Sequence, residues 1–390
     1  MNTGLQRSVW IGLALALHLA PAIRDGWHSG GAPRAEFAVR EVVAHQPTAE
    51  PPMCREEFVG SPITTAFTHV SSLCELAGGR LAAVWCGGSR EGARDVAVWM
   101  AMRGPLTNDH WSSPRPVVTR ESAAHETFRY VRKLGNPLLI AEKDGRVSLV
   151  YVSVGVGGWS GSSLNLKQSL DGGRTWSRSR RLGLSPYFNV SELVKNNAQA
   201  LTDGGWAVPI YHEAFGKFPE VLWLHTASGQ VEAAKSRAFG GRSAFQPALV
   251  ALDPQRALLL CRAAGSVPEI FITRTEDAGR HWTAPRRSGL PNPNSGLDAV
   301  RLSDGRLLLA FNDTTTSREN LRLALSSDEG ATWRRVKTLA EEPGAEFSYP
   351  FLLQTSDGLV HVTYTWKRRN IRHVAFNLAW LDSPAGGKNP

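Results

Sequence analysis

The chain has 390 residues, 42% of them hydrophobic and 20% charged, with 37 glycines and 23 prolines, which is the make-up of an ordered globular protein and excludes a disordered or collagen-like one. Its net charge of +9 and isoelectric point near 9.6 suit an acidic ligand or an anionic surface. No basic helix or aromatic RNA-binding signature accompanies that charge, so nucleic acid is not an expected partner.

At the N-terminus Arg7 precedes an apolar run from Val9 to Ile23, interrupted only by Gly12, His18 and Pro21, and Ala20-Pro21-Ala22 has the small-x-small form of a cleavage site. At about 15 residues the run is shorter than the roughly 20 a spanning helix needs. Residues 1–23 are therefore expected to be an export signal, with an uncleaved membrane anchor as the alternative. The protein is expected to be periplasmic or secreted, with membrane association through this segment if it is retained. Residues 24–54, rich in Ala, Pro, Gly and charge, read as a linker.

From residue 55 onward short strands follow one another. Turn signals recur at Gly78-Gly79-Arg80, Asp144-Gly145-Arg146, Asp203-Gly204-Gly205, Asp253-Pro254-Gln255, Asp304-Gly305-Arg306 and Asp357-Gly358. Each is followed by an apolar run: Leu81 to Trp85, Val147 to Val152, Trp206 to Tyr211, Ala257 to Leu260, Leu307 to Phe311 and Leu359 to Thr363. Short apolar runs bounded by Gly, Asp and Pro, without sustained helical periodicity, predict an all-β chain.

A second repeat is interleaved with the first. Ser169-Leu-Asp171-Gly-Gly173-Arg-Thr175-Trp176, Thr275-Glu-Asp277-Ala-Gly279-Arg-His281-Trp282 and Ser326-Ser-Asp328-Glu-Gly330-Ala-Thr332-Trp333 share a hydroxyl, an Asp, a Gly and a Trp at fixed offsets. Such a turn satisfies itself, because the carboxylate accepts from nearby N–H groups, the Gly takes a positive φ and the Trp buries the turn. The copies begin 106 and 51 residues apart, which fits a period of about 53. Six such periods fill residues 55–390 as one domain, a six-bladed β-propeller of four-stranded antiparallel blades, since a lone blade cannot bury both its faces.

The octapeptides resemble the Asp-boxes of the sialidase superfamily, whose catalytic domain is a six-bladed propeller. Similarity to the bacterial sialidase-like proteins with BNR repeats also runs through Gly87-Gly-Ser-Arg90-Glu91-Gly-Ala-Arg94-Asp95, Arg132-Lys-Leu-Gly135-Asn136-Pro137, Leu290-Pro-Asn292-Pro-Asn294-Ser295 and Ser348-Tyr349-Pro350, and covers about residue 60 to 377.

Topology says which residues can meet. In each blade the first two strands form a hairpin about the Gly turn, so first-strand starts and second-strand ends share one rim, and the octapeptides fall on the opposite rim, where Asp171, Asp277 and Asp328 are expected to be structural. The site rim then receives His69, Arg90, Glu91, Arg94 and Asp95 from blade one, and Asn136 and the loop around Trp159 from blade two. Blade three supplies Lys195, Asn196, His212 and Glu213, and blade four Gln246 and Arg262. Asn294, Asp298, Asn312, Asp313 and Arg318 come from blade five, with Tyr349, Trp366, Lys367 and Arg368 from blade six.

The resemblance implies three arginines on a substrate carboxylate, a Tyr paired with a Glu as nucleophile, and an Asp as acid/base. Arg262 and Arg318 match two of the arginines, Tyr349 the nucleophile and Asp95 the acid/base. The residue types suit the task. A guanidinium fork holds a carboxylate through two parallel charge-assisted hydrogen bonds, and a neutral phenol can attack a carbon bearing a carboxylate that would repel an anionic nucleophile.

Two positions depart from the pattern. Thr68-His69 stands where the first arginine is expected, and Phe245-Gln246-Pro247 where the Glu partner of the Tyr is expected. His69 could serve as carboxylate donor or proton shuttle, and Glu213 or Glu346 as the missing base. Arg90, Glu91, Asn136, Asn294 and Gln246 complete the expected substrate contacts. Asn292, Asn294 and Ser295 equally fit a turn enforced by Pro291 and Pro293, and Asp95 equally fits a turn cap.

The expected function is an exported exo-glycoside hydrolase that removes a terminal acidic sugar, sialic or another ulosonic or uronic acid, from an acidic glycan or polysaccharide. The alternatives are a lyase acting on a uronate-containing polymer, through His69 and Tyr349, and a non-catalytic glycan-binding propeller. No cofactor or metal is expected. Cys54, Cys74, Cys86 and Cys261 lack CxxC spacing and are read as disulfide partners or as buried free thiols. Nothing in the sequence sets the oligomeric state.

Overall fold

The computed structural model describes residues 35–43, 50–60, 65–105, 110–142, 144–184, 189–226, 230–239 and 244–384. Residues 1–23, expected to be a signal or anchor, lie outside them.

Six antiparallel sheets follow one another along the chain. Strand β1 (Cys54–Phe58) comes first and is set aside by the topology. Blade one is β2 (Phe67–Leu76), β3 (Arg80–Gly88), β4 (Ala97–Arg103) and β5 (Arg115–Val118). Helix α1 (Arg120–Thr127), capped by Thr119, leads to blade two: β6 (Lys133–Ala141), β7 (Val147–Val154), β8 (Ser162–Ser169) and β9 (Arg180–Arg181). Blade three has its first strand broken into β10 (Leu193–Val194) and β11 (Gln199–Ala200), both on β12 (Trp206–His212), followed by β13 (Phe218–His225) and β14 (Glu232–Arg237).

Blade four is β15 (Ala244–Ala251), β16 (Ala257–Ala263), β17 (Glu269–Thr275) and β18 (Arg286–Pro291). Blade five is β19 (Asp298–Arg301), β20 (Leu307–Phe311), β21 (Asn320–Ser326) and β22 (Arg334–Glu341). Blade six contributes β23 (Phe347–Gln354), β24 (Val360–Trp366) and β25 (Asn370–Phe376), followed by helix α2 (Leu378–Asp382). The fourth, outer strand of blade six is β1, which pairs with β25 from Cys54↔Phe376 to Phe58↔Arg372. The N-terminal strand thus completes the last blade and covers the edge that β25 would otherwise leave open.

Apolar side chains between blades form the core. The inner strands show no alternation of buried and exposed residues because both their faces are covered: in β16 every residue from Ala257 to Ala263 is buried. One buried cluster joins blades one and two around Val84, Met100 and Tyr151, and another joins blades five and six around Leu308, Leu352 and Tyr364.

The three octapeptides each join a third strand to a fourth, as the repeat predicts. In the first, Asp171 accepts from Thr175 N at 2.8 Å and Ser169 Oγ accepts from Gly173 N at 2.7 Å. The other two repeat the carboxylate bond through Asp277 and His281, and through Asp328 and Thr332. Gly279 has φ +83°, and a Cβ there would lie 2.7 Å from Trp223, so the turn needs glycine for both its backbone and its close approach.

Part of the stretch read as linker is packed structure. Phe37 is fully buried and its N–H donates to Pro254 O at 2.9 Å, while Ala38 N reaches Ala200 O and Val43 N reaches Ser303 O. Residues 35–43 therefore strap blades three, four and five on the turn rim, an arrangement set by the apolar slot beside Trp223 and Gly279. All four cysteines are buried free thiols.

Candidate functional site

Every blade enters its innermost strand through a residue with positive φ: Val70 (50°), Asn136 (27°), Ser191 (57°), Gln246 (47°), Asn294 (55°) and Tyr349 (53°). None is a glycine. At four of them the pairing of first and second strands slips, between His69 and Ser71, Gly135 and Leu138, Phe245 and Pro247, and Ser348 and Phe351. A bulge kinks the strand and re-aims its side chain, and a left-handed non-glycine residue costs about 1–3 kcal/mol that the surrounding structure must over-determine. Here the kinks bring Val70, Asn136, Gln246 and Tyr349 to the wall of one axial pocket of about 210 Å³.

Around that pocket runs a chain of hydrogen bonds with a member from every blade. Glu91 of blade one accepts from Arg368 of blade six. Arg368 Nε also donates to Glu346 at 2.6 Å, and Glu346 accepts from Arg318 of blade five at 3.2 Å. Arg318 donates to Asn294 O at 3.1 Å, and Asn294 Oδ1 accepts from Arg262 Nε of blade four at 2.8 Å. Arg262 Nη1 donates to Gln246 Oε1 at 2.7 Å and to the Tyr349 hydroxyl at 3.1 Å. Gln246 Nε2 and Asn136 Nδ2 of blade two then both donate to the Tyr211 hydroxyl of blade three, each at 3.0 Å.

Charge is arranged accordingly. Burial pushes the Glu346 carboxyl up, but the Arg368 and Ser348 hydrogen bonds and the charges of Arg368 and Arg318 outweigh it and hold the group down to about 2. His69 is buried beside Tyr349, with ring centroids 4.7 Å apart in an edge-to-face contact. Burial, reinforced by Arg368, Arg318 and Arg262 against the opposing Glu346, pushes its imidazole down to about 3. The ring is thus neutral at physiological pH, and its Nδ1 has no hydrogen-bond partner among the described residues. Glu213 is pushed up by burial, with Lys217 and Arg262 opposing.

Beneath the phenol, the fully buried Lys195 donates to Leu297 O at 2.8 Å and to Pro350 O at 2.6 Å, which pins the backbone next to Tyr349. Burial pushes Lys195 down and the buried Asp298 up, and each opposes the other's shift.

Of the residues expected at the site, His69, Glu91, Asn136, Glu213, Gln246, Arg262 and Tyr349 line the axial pocket, and Asn294 and Arg318 join the hydrogen-bonded chain beside it. Arg90 lines a neighbouring depression. Asp95 does not reach the pocket. It is exposed, and its two carboxylate oxygens accept from Ser89 N and Ser89 Oγ, both at 2.9 Å, so it caps the loop after β3. The same loop brings Glu91 inward instead. Asn292 closes the turn with Ser295, accepting from its N–H at 3.1 Å.

Two contributors do not stand out as site residues in the sequence. Tyr211 there is only the end of an apolar strand, although a second-strand end on the site rim is where a polar tip meets the axis. Arg368 falls on the rim without a role, yet it takes up Glu346 and Glu91.

Comparison with known proteins agrees with this architecture. Residues 79–362 match the model of the BNR repeat-like domain family. A search of curated protein sequences returns no match. Among solved structures, a protein of unknown function from Dyadobacter fermentans superposes with a TM-score of 0.66 at 12% identity, covering 83% of this chain and 99% of that one. The Hadza microbial sialidase superposes with a TM-score of 0.65 at 19% identity, covering 80% and 66%. The intramolecular trans-sialidase of Ruminococcus gnavus, solved in complex with oseltamivir carboxylate, gives 0.66 at 13% identity, covering 84% and 98%. The chain belongs to the BNR repeat-like domain family and carries the six-bladed propeller fold of the sialidases.

Proposed function

We propose that the protein is a glycoside hydrolase that releases a terminal acidic sugar from a glycan outside the cytoplasm. The observation that carries this reading is the gathering of Arg262, Arg318 and Arg368 with Tyr349 at one axial mouth. The sugar carboxylate lies on the arginines, which fix its orientation as well as its charge. Tyr349, its hydroxyl positioned by Arg262, attacks the anomeric carbon as the glycosidic bond breaks and gives its proton to water; a second water then cleaves the glycosyl–tyrosine bond, releasing the sugar and restoring the phenol.

The proton for the leaving oxygen comes from Glu213, not Asp95. Of the two pocket carboxyls, Glu91 is committed to Arg368, whereas Glu213 is pushed up by burial and so holds a proton more readily than an exposed carboxyl. Gln246 cannot act as a base. Its amide passes orientation from Tyr211 to Arg262.

Release of free sugar from a panel of 2-ketosidically linked acids and terminal uronides tests the reading. Tyr349→Phe is expected to lower kcat by roughly 1,000-fold or more, and Glu213→Gln by about 100-fold. A detected activity that survives both substitutions removes these residues from the mechanism.

A second reading is favoured by the neutral His69 ring packed against Tyr349. An imidazole base, a phenol acid and arginines on a uronate carboxylate are the parts of a β-elimination. An unsaturated product absorbing in the ultraviolet, lost in His69→Ala, would select it over hydrolysis.

A further inference from the structure

The hydrogen-bonded chain around the axial pocket is open in one place, between Glu91 of blade one and Asn136 of blade two. Gly92 has no side chain, and Trp159 leans over Gly135 so closely that a Cβ on that glycine would lie 2.8 Å from its ring. Lys133 Nζ sits 3.8 Å from the centre of the Trp159 ring. Gly92 belongs both to the axial pocket and to a second depression just beyond it.

That second depression is lined by Arg90, Arg94 and Arg132 together with Tyr130 and Val156. The three arginines are exposed, and no described carboxylate forms an ion pair with any of them. Tyr130 and Val156 are 63% and 83% exposed. Three like charges gathered with no ion-pair partner among the described residues repel one another, while their neighbours on the same rim, Arg318 and Arg368, are each tied to Glu346. An exposed aromatic beside uncompensated guanidinium groups matches a sugar ring that carries an acid group, with one face for the phenol and one anion for the forks.

We infer that this depression is a subsite for a second acidic sugar, the residue next to the one held at Tyr349, whose carboxylate or sulfate is gripped by Arg90, Arg94 and Arg132. The substrate is then a polyanionic chain that leaves the axial pocket over Gly92, between blades one and two. The inference rests on the proposed binding of a terminal acidic sugar at the axial pocket and adds to it the chemistry of the neighbouring unit.

Calorimetric titration of the Tyr349→Phe protein separates the two claims. The probes are matched pairs: a ketosidically linked dimer of a nine-carbon ulosonic acid against the same acid on a neutral galactoside, and a dimer of a hexuronic acid against the same uronide on a neutral sugar. In the pair that binds, the di-acid is expected to bind roughly 10-fold to 100-fold more tightly, with a steeper loss of affinity in salt. Adding Arg94→Ala and Arg132→Ala is expected to bring the di-acid down to the neutral-aglycone affinity, which itself stays unchanged. Equal affinity within every pair overturns the subsite and leaves the axial reading standing. No binding of any probe overturns both. If the arginine substitutions abolish adsorption to vesicles containing anionic lipid and leave the di-acid affinity untouched, the patch serves a membrane surface and the subsite is refuted.

Discussion

On the turn rim Asp328 accepts from Thr332, four residues away, and on the pocket rim Arg262 donates to Tyr349, 87 residues away. Both rims are polar and both come from the same six sheets. On the turn rim the three octapeptides each close their carboxylate bond within themselves. Such bonds hold Asp328 down to about 2, and at Asp277 they reach the same value against the upward push of burial. The pocket rim has no local solution. Its positive-φ entrances, its buried lysine and its linked arginines hold only because neighbouring blades hold them. Left-handed backbone is thus gathered at the blade entrances around the pocket.

The largest loss on the pocket rim is expected from Lys195→Met. It leaves the carbonyls of Leu297 and Pro350 without their donor and Asp298 buried beside no cation, which costs about 3–5 kcal/mol in chemical denaturation. If the midpoint hardly moves, the Tyr349 bulge does not depend on that staple.

Acid sharpens the comparison further. His69 is lowered from its ordinary value of 6.5 to about 3, so between those limits the unfolded chain takes up a proton that the folded protein refuses. Stability is fully present above pH 6.5 and falls as pH drops toward 3, by up to about 1.4 kcal/mol per pH unit for this group. His69→Gln should flatten that part of the profile. The buried His361 and His373, also lowered, leave a residual slope. An unchanged profile would mean that His69 is solvated.

On the turn rim Asp328→Ala should cost only about 1 kcal/mol, because its bonds are exposed and water replaces them. Its kcat/KM on any detected substrate should stay at the wild-type level, and a selective loss of activity would break the division between rims. Asp95→Asn is the smallest expected effect, within about 0.5 kcal/mol in stability and without a change in rate. A fall of about 100-fold or more would instead mean that the loop after β3 swings Asp95 into the pocket during turnover.

Several pieces of the site were legible in the sequence for a topological reason: once the hairpins were counted, strand starts and ends had to face one rim, and Tyr349, Arg262, Gln246, Asn136 and His69 follow from position alone. Asp95 and Glu91 were not separable that way, because a short glycine-containing loop can turn either carboxylate inward, and the Ser89 hydrogen bonds decided it. The six positive-φ entrances left no trace either. They are Val, Asn, Ser, Gln, Asn and Tyr, residues with no common side chain, because a shared backbone kink imposed by neighbouring blades needs no shared residue.

By itself the sequence determined the sheets, their number and the rim on which polar residues collect, since turns, short apolar runs and the octapeptide are settled by contacts within a few residues. Only the tertiary structure decided that Arg368 joins Arg318 on Glu346, that Glu91 and Glu213 line the pocket while Asp95 does not, and that residues 35–43 are a strap. Those outcomes depend on groups far apart in the chain competing for the same few partners, as when Arg368 reaches Glu91 across 277 positions once β1 has closed the ring.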